Sequence, residues 1–256
     1  MYQVLAYIKF LLSATNQHGV HSPFVYNFVT KCLYDKKKYT AYKTLNNYRK
    51  ILKNSKIELE ITDLGEGSKV LNSTQRKVSD MVKASSSSKK ESKLLFRLSQ
   101  YFNFNTILEL GTSLGMGTYA LALANQSSVI TTIEGCPNTS AFAKSKLDDL
   151  DIKNIHFKVG SFAERIQKLK DENYDFIYFD GHHNKNATIQ YFEAFLPKIH
   201  NDTVFLFDDI YWSKGMTEAW EYIKNHESVK VTVDCFHLGI VFFRREQAKE
   251  HFKIRL

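Results

Sequence analysis

The sequence predicts an α/β fold, a doubly wound sheet of seven strands, mostly parallel, with an antiparallel last strand and a helical N-terminal extension. Three observations predict it. Thr106 to Thr118 reads as a strand, a glycine-rich turn and the start of a helix. From there to about residue 225, apolar runs alternate with helical segments, the pattern of a parallel sheet flanked by helices. The chain then closes on two strands too close together for a crossover.

The extension comes first. Tyr2 to Leu12 has helical apolar spacing. Ser22-Pro23 is a helix start, because serine caps free N–H groups and proline suits the first helical position. Phe24, Val25, Phe28, Val29 and Leu33 then share a side. Ile57, Leu59 and Ile61 alternate with polar residues and predict a short strand. Ser85 to Ser88 reads as a loop, and Leu94 to Phe102 as a helix leading into the glycine turn. Strands are expected at 106–110, 129–133, 156–159, 176–179 and 203–207. Helices are expected near 115–125, 138–149, 162–170, 186–198 and 215–225. The closing strands, 229–233 and 238–243, are separated only by Asp234 to His237 and must be antiparallel. The division expected is a mainly helical extension or lid over 1–92 and a ligand-binding domain over 93–256.

Composition excludes several classes. At 43% hydrophobic and 24% charged, the 256 residues suit a soluble globular protein with a real core. Cys32, Cys136 and Cys235 form neither a zinc pattern nor a disulfide framework, so a reducing cytoplasm is expected. Lys9 interrupts the apolar run Val4 to Leu12, which has no basic flank before it, so it is not read as a signal peptide. No stretch approaches the ~18 apolar residues of a membrane span, and no membrane partner is expected. The net charge of +8 is concentrated: Lys31 to Glu58 holds nine Lys or Arg and two acids, with Tyr34, Tyr39, Tyr42 and Tyr48 interleaved. That pattern fits a nucleic-acid surface. The preferred reading is a solvated helical face with its tyrosines packed on the core, since no nucleic-acid motif accompanies it.

The glycine turn carries the chemistry. Glu109 ends the first strand, and Gly111, Gly115 and Gly117 follow before the helix. Such turns let a ligand approach the backbone, because glycine tolerates positive φ and has no side chain in the way. Glu134 ends the next strand about twenty residues on, where a carboxylate accepts both hydroxyls of a ribose. A nicotinamide site would read G-x-G-x-x-G, but here Gly111-x-x-x-Gly115-x-Gly117 follows an acid. This spacing resembles the first motif of class I S-adenosylmethionine (SAM) dependent methyltransferases, in the catechol O-methyltransferase-like branch. The resemblance covers roughly Leu94 to Arg244, and the antiparallel closing pair agrees with a Rossmann-like fold of that type. It implies SAM as cofactor. Its amino-acid part would lie on Glu109, Gly111, Thr112, Ser113, Gly115 and Gly117, its ribose on Glu134 and Gly135, and its adenine near Ser161 and Phe162. Phe162 either stacks on the base or belongs to the core. Asp63-Leu64-Gly65-Glu66-Gly67 is a second acid-x-Gly-x-Gly, but no strand with a terminal acid follows it; a loop over the substrate and a plain turn are equal readings.

A carboxylate constellation lies downstream. Asp180 ends one strand in YFDGHH, and Asp208 and Asp209 end the next in FLFDDIYW. Grouped acids repel one another unless a cation is present, and oxygen ligands suit Mg²⁺ or Ca²⁺. In the resembled branch these positions are Asp, then Asp-Asn, and bind Mg²⁺; here Asp209 replaces the Asn. The metal-free alternative is that these acids cap helices or hold the SAM amino group, Asp180 included. His182 and His183 follow Asp180, and a histidine suits a general base because its pKa lies near neutrality. His183 stands where the branch has a Lys. Tyr211, Trp212 and Met216 are candidates for an acceptor wall, whereas Trp220 reads as core. His18 and His21 in NQHGVHSPF have no acid or Cys beside them and read as helix-start contacts; that segment resembles the start of a bacterial group of methyltransferase-like proteins. The expected function is SAM-dependent methylation of a small-molecule hydroxyl, with or without metal. The alternatives are methylation of RNA or protein through the basic segment, or SAM binding without catalysis. The oligomeric state is left open, a dimer included.

Overall fold

The computed structural model describes residues 2–62, 74–84, 87–169 and 172–256. The second acid-x-Gly-x-Gly segment, Asp63 to Gly67, lies outside them, as do Ser85 and Ser86 of the serine run. The chain forms two compact units, one of residues 35–165 and one of residues 1–34 with 166–256.

In chain order, α1 (Tyr2–Ser13) precedes α2 (Pro23–Phe28), whose start is capped by Ser22 and which runs on as a π-helical turn to Leu33. α3 (Thr40–Lys53) leads to β1 (Glu58–Glu60), β2 (Gln75–Lys77), α4 (Val78–Ala84) and α5 (Lys89–Phe102). The alternation follows: β3 (Thr106–Leu110), α6 (Met116–Ala124), β4 (Val129–Glu134), α7 (Pro137–Asp148), β5 (Ile155–Val159) and α8 (Phe162–Leu169). It continues with β6 (Phe176–Phe179), α9 (Lys185–Phe195), β7 (Val204–Asp208) and α10 (Lys214–Asn225). β8 (Val231–Asp234), β9 (Leu238–Phe242) and β10 (Glu250–Lys253) close the chain.

In the unit 35–165, β3, β4 and β5 run parallel, with Ile107 opposite Ile130 and Thr131 opposite His156. β3 is buried from Ile107 to Leu110, as a strand covered on both faces must be. α5 begins on a capping box: Ser88 accepts from the Glu91 amide while the Glu91 side chain accepts from the Ser88 amide. It packs on α6 and ends at Asn103, whose φ of 52° turns the chain toward β3. Beside it, Tyr39, Tyr42 and Phe96 form edge-on ring contacts, and Lys93 lies over the Tyr42 ring. Tyr48 is buried and donates to the Leu114 carbonyl at 2.8 Å. The tyrosines of the basic stretch are thus bound up in packing, and Tyr34, in the other unit, donates to the Arg255 carbonyl.

In the other unit, β6 and β7 are parallel, and β9 is antiparallel to both β7 and β8. Phe179, Phe192, Phe205, Phe207 and Phe243 make its aromatic core, with Phe179 and Phe207 stacked at 4.3 Å. α9 packs on α10, whose Trp220 is buried beneath β9. A Cβ at Gly239 would stand 2.6 Å from the Trp220 ring, so only glycine fits there. Tyr211 is buried as well, donating to Asp234 at 2.6 Å and stacking on Phe236. α1 turns Val4, Leu5, Ile8, Leu11 and Leu12 to solvent, while Tyr2 and Gln3 bond to Thr217 and the Trp212 carbonyl. Among the described residues no helix is long and apolar enough to cross a membrane.

The strand orders are β10-β8-β9-β7-β6 in this unit and β3-β4-β5 in the unit 35–165, eight strands where seven were expected. The expected α/β class and the antiparallel closing pair are present. The added strand is β10, parallel to β8 at the sheet edge. Its sequence, EHFK, is half exposed and lacks the apolar alternation that would mark a strand. The reversed strand is therefore β9, flanked by β7 and β8, and not the last of the chain.

Candidate functional site

The glycine turn leaves the carboxyl end of β3. Gly111 and Gly115 adopt φ of 112° and 74°, a region that costs an L side chain about 1–2 kcal/mol. The Gly111 and Thr112 amides donate to the Ile133 carbonyl, which ties the turn to β4. Gly117 is required sterically, since a Cβ there would lie 2.7 Å from Oε1 of Glu109. Glu109 is 1% exposed, and its Oε2 accepts from the hydroxyls of Thr118 at 2.5 Å and Thr132 at 2.6 Å. Burial pushes its carboxyl up to about 7, against the two hydroxyl bonds, with the Glu134 charge adding to the rise. Thr112 and Thr132 share a bond of 2.6 Å. Glu109 thus locks β3, β4 and α6 around the turn.

Glu134 ends β4, half-buried. Its Oε2 accepts from the Ser113 amide at 2.8 Å and its Oε1 from the Cys136 amide at 3.0 Å. Ser113 is held at φ 47°, an uncommon conformation for serine. A carboxylate offers about four acceptor sites, the chemistry that a ribose diol calls for. Gly135 lies between the two anchored residues Glu134 and Cys136. At the end of β5, Gly160 has φ 141° and its amide donates to the Glu134 carbonyl at 3.0 Å. Ser161 Oγ accepts from the Glu164 amide, and half-buried Phe162 opens α8.

The second constellation belongs to the unit containing β6 and β7. Asp180 follows β6, and Asp208 ends β7. An oxygen of Asp180, a nitrogen of His183 and an oxygen of Asp208 all lie within 4.8 Å of one another. Asp209 is turned by its φ of 52°, and its Oδ2 is 4.0 Å from Nε2 of His183. His182, at φ 53°, meets the Tyr191 hydroxyl through Nδ1 at 3.0 Å. Burial lowers the His183 pKa, Asp209 opposing and His182 reinforcing that, so the ring is neutral near pH 7. The Trp212 ring lies 6.3 Å from it, and Met216 is buried. His18 bonds locally, to Gln17 and Asn16, at the start of a short turn.

Sequence reasoning passed over Thr118, Thr132 and the Cys136 amide, and it read Tyr48 as core without its bond to the glycine turn. Two consecutive threonines within the apolar β4 were the available sign, since a buried strand hydroxyl needs a partner. The amide of Cys136 and the reach of Tyr48 leave no mark in sequence.

Residues 108–210 match the family model described as a methyltransferase domain. No curated protein matches the chain. Among solved structures, it is similar to the O-methyltransferase of Bacillus cereus in complex with S-adenosylhomocysteine (SAH): 17% identity, TM-score 0.54, 83% of this chain and 98% of that one. The SAH-bound methyltransferase PaMTH1 of Podospora anserina is similar at 13% identity and TM-score 0.58, over 82% and 99%. The O-methyltransferase TomG of Streptomyces achromogenes, involved in tomaymycin synthesis and solved with SAM, is similar at 17% identity and TM-score 0.56, over 81% and 91%. Residues 108–210 thus resemble a methyltransferase domain, and the chain shares its fold with these methyltransferase structures.

Proposed function

We propose that the protein is a SAM-dependent O-methyltransferase acting on a hydroxyl of a small molecule. The observation that carries this reading is the glycine turn at Gly111–Gly117 together with Glu134, whose carboxylate is set by the Ser113 and Cys136 amides. SAM, when bound, supplies an electrophilic methyl group. The turn would receive its amino-acid part, and Glu134 its ribose. Ser161 and Phe162 would border the adenine. Glu109 acts from beneath, by fixing the turn. Methyl transfer is an in-line displacement, so positioning and exclusion of water are the main tasks. Asp180, Asp208 and Asp209 would bind the acceptor oxygen through a divalent cation, Mg²⁺ or Ca²⁺ by the oxygen chemistry of the acids alone. His183 offers a neutral lone pair beside them, either to the hydroxyl's proton or to the cation. Trp212 would wall the acceptor.

In this reading residues 1–92 shape the acceptor pocket and 93–256 form the SAM domain. Support comes from Tyr48, which braces the Leu114 carbonyl inside the glycine turn. The cytoplasm is the proposed setting, since the three cysteines are free and buried. RNA and protein acceptors are less favoured, because the tyrosines of the basic stretch are engaged in packing.

The test is transfer of a labelled methyl group from SAM to a panel of catechol-like diols, tRNA and bulk protein. Turnover on a diol, lost by at least 100-fold in Asp208→Ala, is expected. Labelling of tRNA alone would replace this reading with the nucleic-acid one. SAH binding without turnover on any acceptor would favour a non-catalytic SAM-binding protein.

A further inference from the structure

Mg²⁺ and Ca²⁺ are hard cations that take oxygen ligands. The three groups that gather here are not all oxygen: Asp180 and Asp208 each bring a carboxylate, and His183 brings an imidazole nitrogen. Their ligand atoms lie within 4.8 Å of one another. Ligands on a single ion, bound at roughly 2.1 Å, stand about 3–4 Å apart, so a small side-chain adjustment closes the set. Imidazole suits zinc, iron, copper and nickel, while carboxylate suits magnesium, calcium and manganese and also binds zinc; the nitrogen is therefore the group that discriminates.

The mounting of His183 fits a ligand. His182 before it is held at φ 53° with its ring on the Tyr191 hydroxyl. Asn184 after it caps α9, accepting from the Asn186 and Ala187 amides. The backbone that carries His183 is thereby set on both sides. Asp209 adds a third carboxylate nearby, its Oδ2 4.0 Å from Nε2 of His183.

We infer that Asp180, His183 and Asp208 form a mixed nitrogen–oxygen site for a divalent first-row transition ion, in preference to Mg²⁺ or Ca²⁺. This deepens the methyltransferase reading and rests on it only for the ion's use. It also assigns His183: a coordinated imidazole nitrogen has no lone pair left to take the acceptor's proton. The remaining coordination positions are open to an acceptor oxygen.

The test uses chelator-treated full-length protein, titrated separately with Mn²⁺, Co²⁺ and Mg²⁺ by calorimetry. Mn²⁺-loaded protein is also examined by pulsed electron paramagnetic resonance for coupling to a ¹⁴N nucleus. Mn²⁺ and Co²⁺ are expected to bind at least tenfold tighter than Mg²⁺. The ¹⁴N coupling should be present in the native protein and lost in His183→Ala and His183→Gln, with Co²⁺ affinity falling at least tenfold. Two substitutions guard against misfolding, and thermal melts identify a variant that has lost its fold. Mg²⁺ binding as tight as Mn²⁺, absent ¹⁴N coupling, or unchanged Co²⁺ affinity in a folded His183 variant would overturn the assignment. SAH titration of the same native sample is the separate readout: metal binding without SAH binding would remove the methyltransferase reading and leave the metal site standing.

Discussion

Glu109 sits where a negative charge is costly, fully buried between β3, β4 and α6, with two threonine hydroxyls as its bonded partners. Its folded pKa of about 7 stands above the ordinary 4.5. Between those values the native state holds more protons than the unfolded chain, so unfolding stability falls as pH rises. The contribution is fully present below about pH 4.5 and is lost as pH passes about 7. In Glu109→Gln the group no longer titrates. The stability advantage of the native protein over this variant should therefore shrink from pH 5 to pH 8, by up to about 3 kcal/mol. Urea unfolding across that range measures it, and a pH-independent difference would contradict the account. At this scale the sequence exposed the groups whose chemistry is specific. Glu109, Gly111 and Glu134 stand out because few residue types serve at a strand end or a left-handed turn. Thr118 and Thr132 did not stand out, because a hydroxyl's partner is set by tertiary packing. His183 joins the acids only through the left-handed turn at His182, and no spacing rule announces that.

α5 illustrates what local signals decide. The serine run reads as loop and the apolar pattern begins at Leu94, yet the helix starts at Lys89. The sign was present: Ser88 and Glu91 stand three apart, and each satisfies an amide of the other. Ser88→Ala removes one side of that exchange and should cost about 1 kcal/mol, read as a lowered urea midpoint with unchanged slope. An unchanged midpoint would mean that α5 is held by its packing on α6 alone. The inner strands were legible for a related reason. β3, β6 and β7 are buried runs whose composition announces them. β10 was not, because an edge strand of four residues needs only one face covered and tolerates Glu, His and Lys. Its register comes from pairing with β8, a contact far away in sequence.

In each unit, the candidate ligand groups lie at the carboxyl ends of its parallel strands, the end at which open α/β sheets bind their ligands. The glycine turn, Glu134 and Gly160 follow β3, β4 and β5; Asp180 and Asp208 mark the ends of β6 and β7. Left-handed backbone at Ser113, His182 and Asp209 falls at these same places, and such strain tends to collect at functional sites. The fold class followed from the glycine turn, the alternation of strands and helices, and the short link between the closing strands. The cofactor site bears the weight of the functional reading, so it is the place to test it. Calorimetric titration with SAH should show saturable binding to the native protein. In Glu134→Ala, binding should weaken at least tenfold, about 1.4 kcal/mol. No SAH binding by the native protein would contradict the account, and equal affinity in Glu134→Ala would contradict its assignment of the ribose.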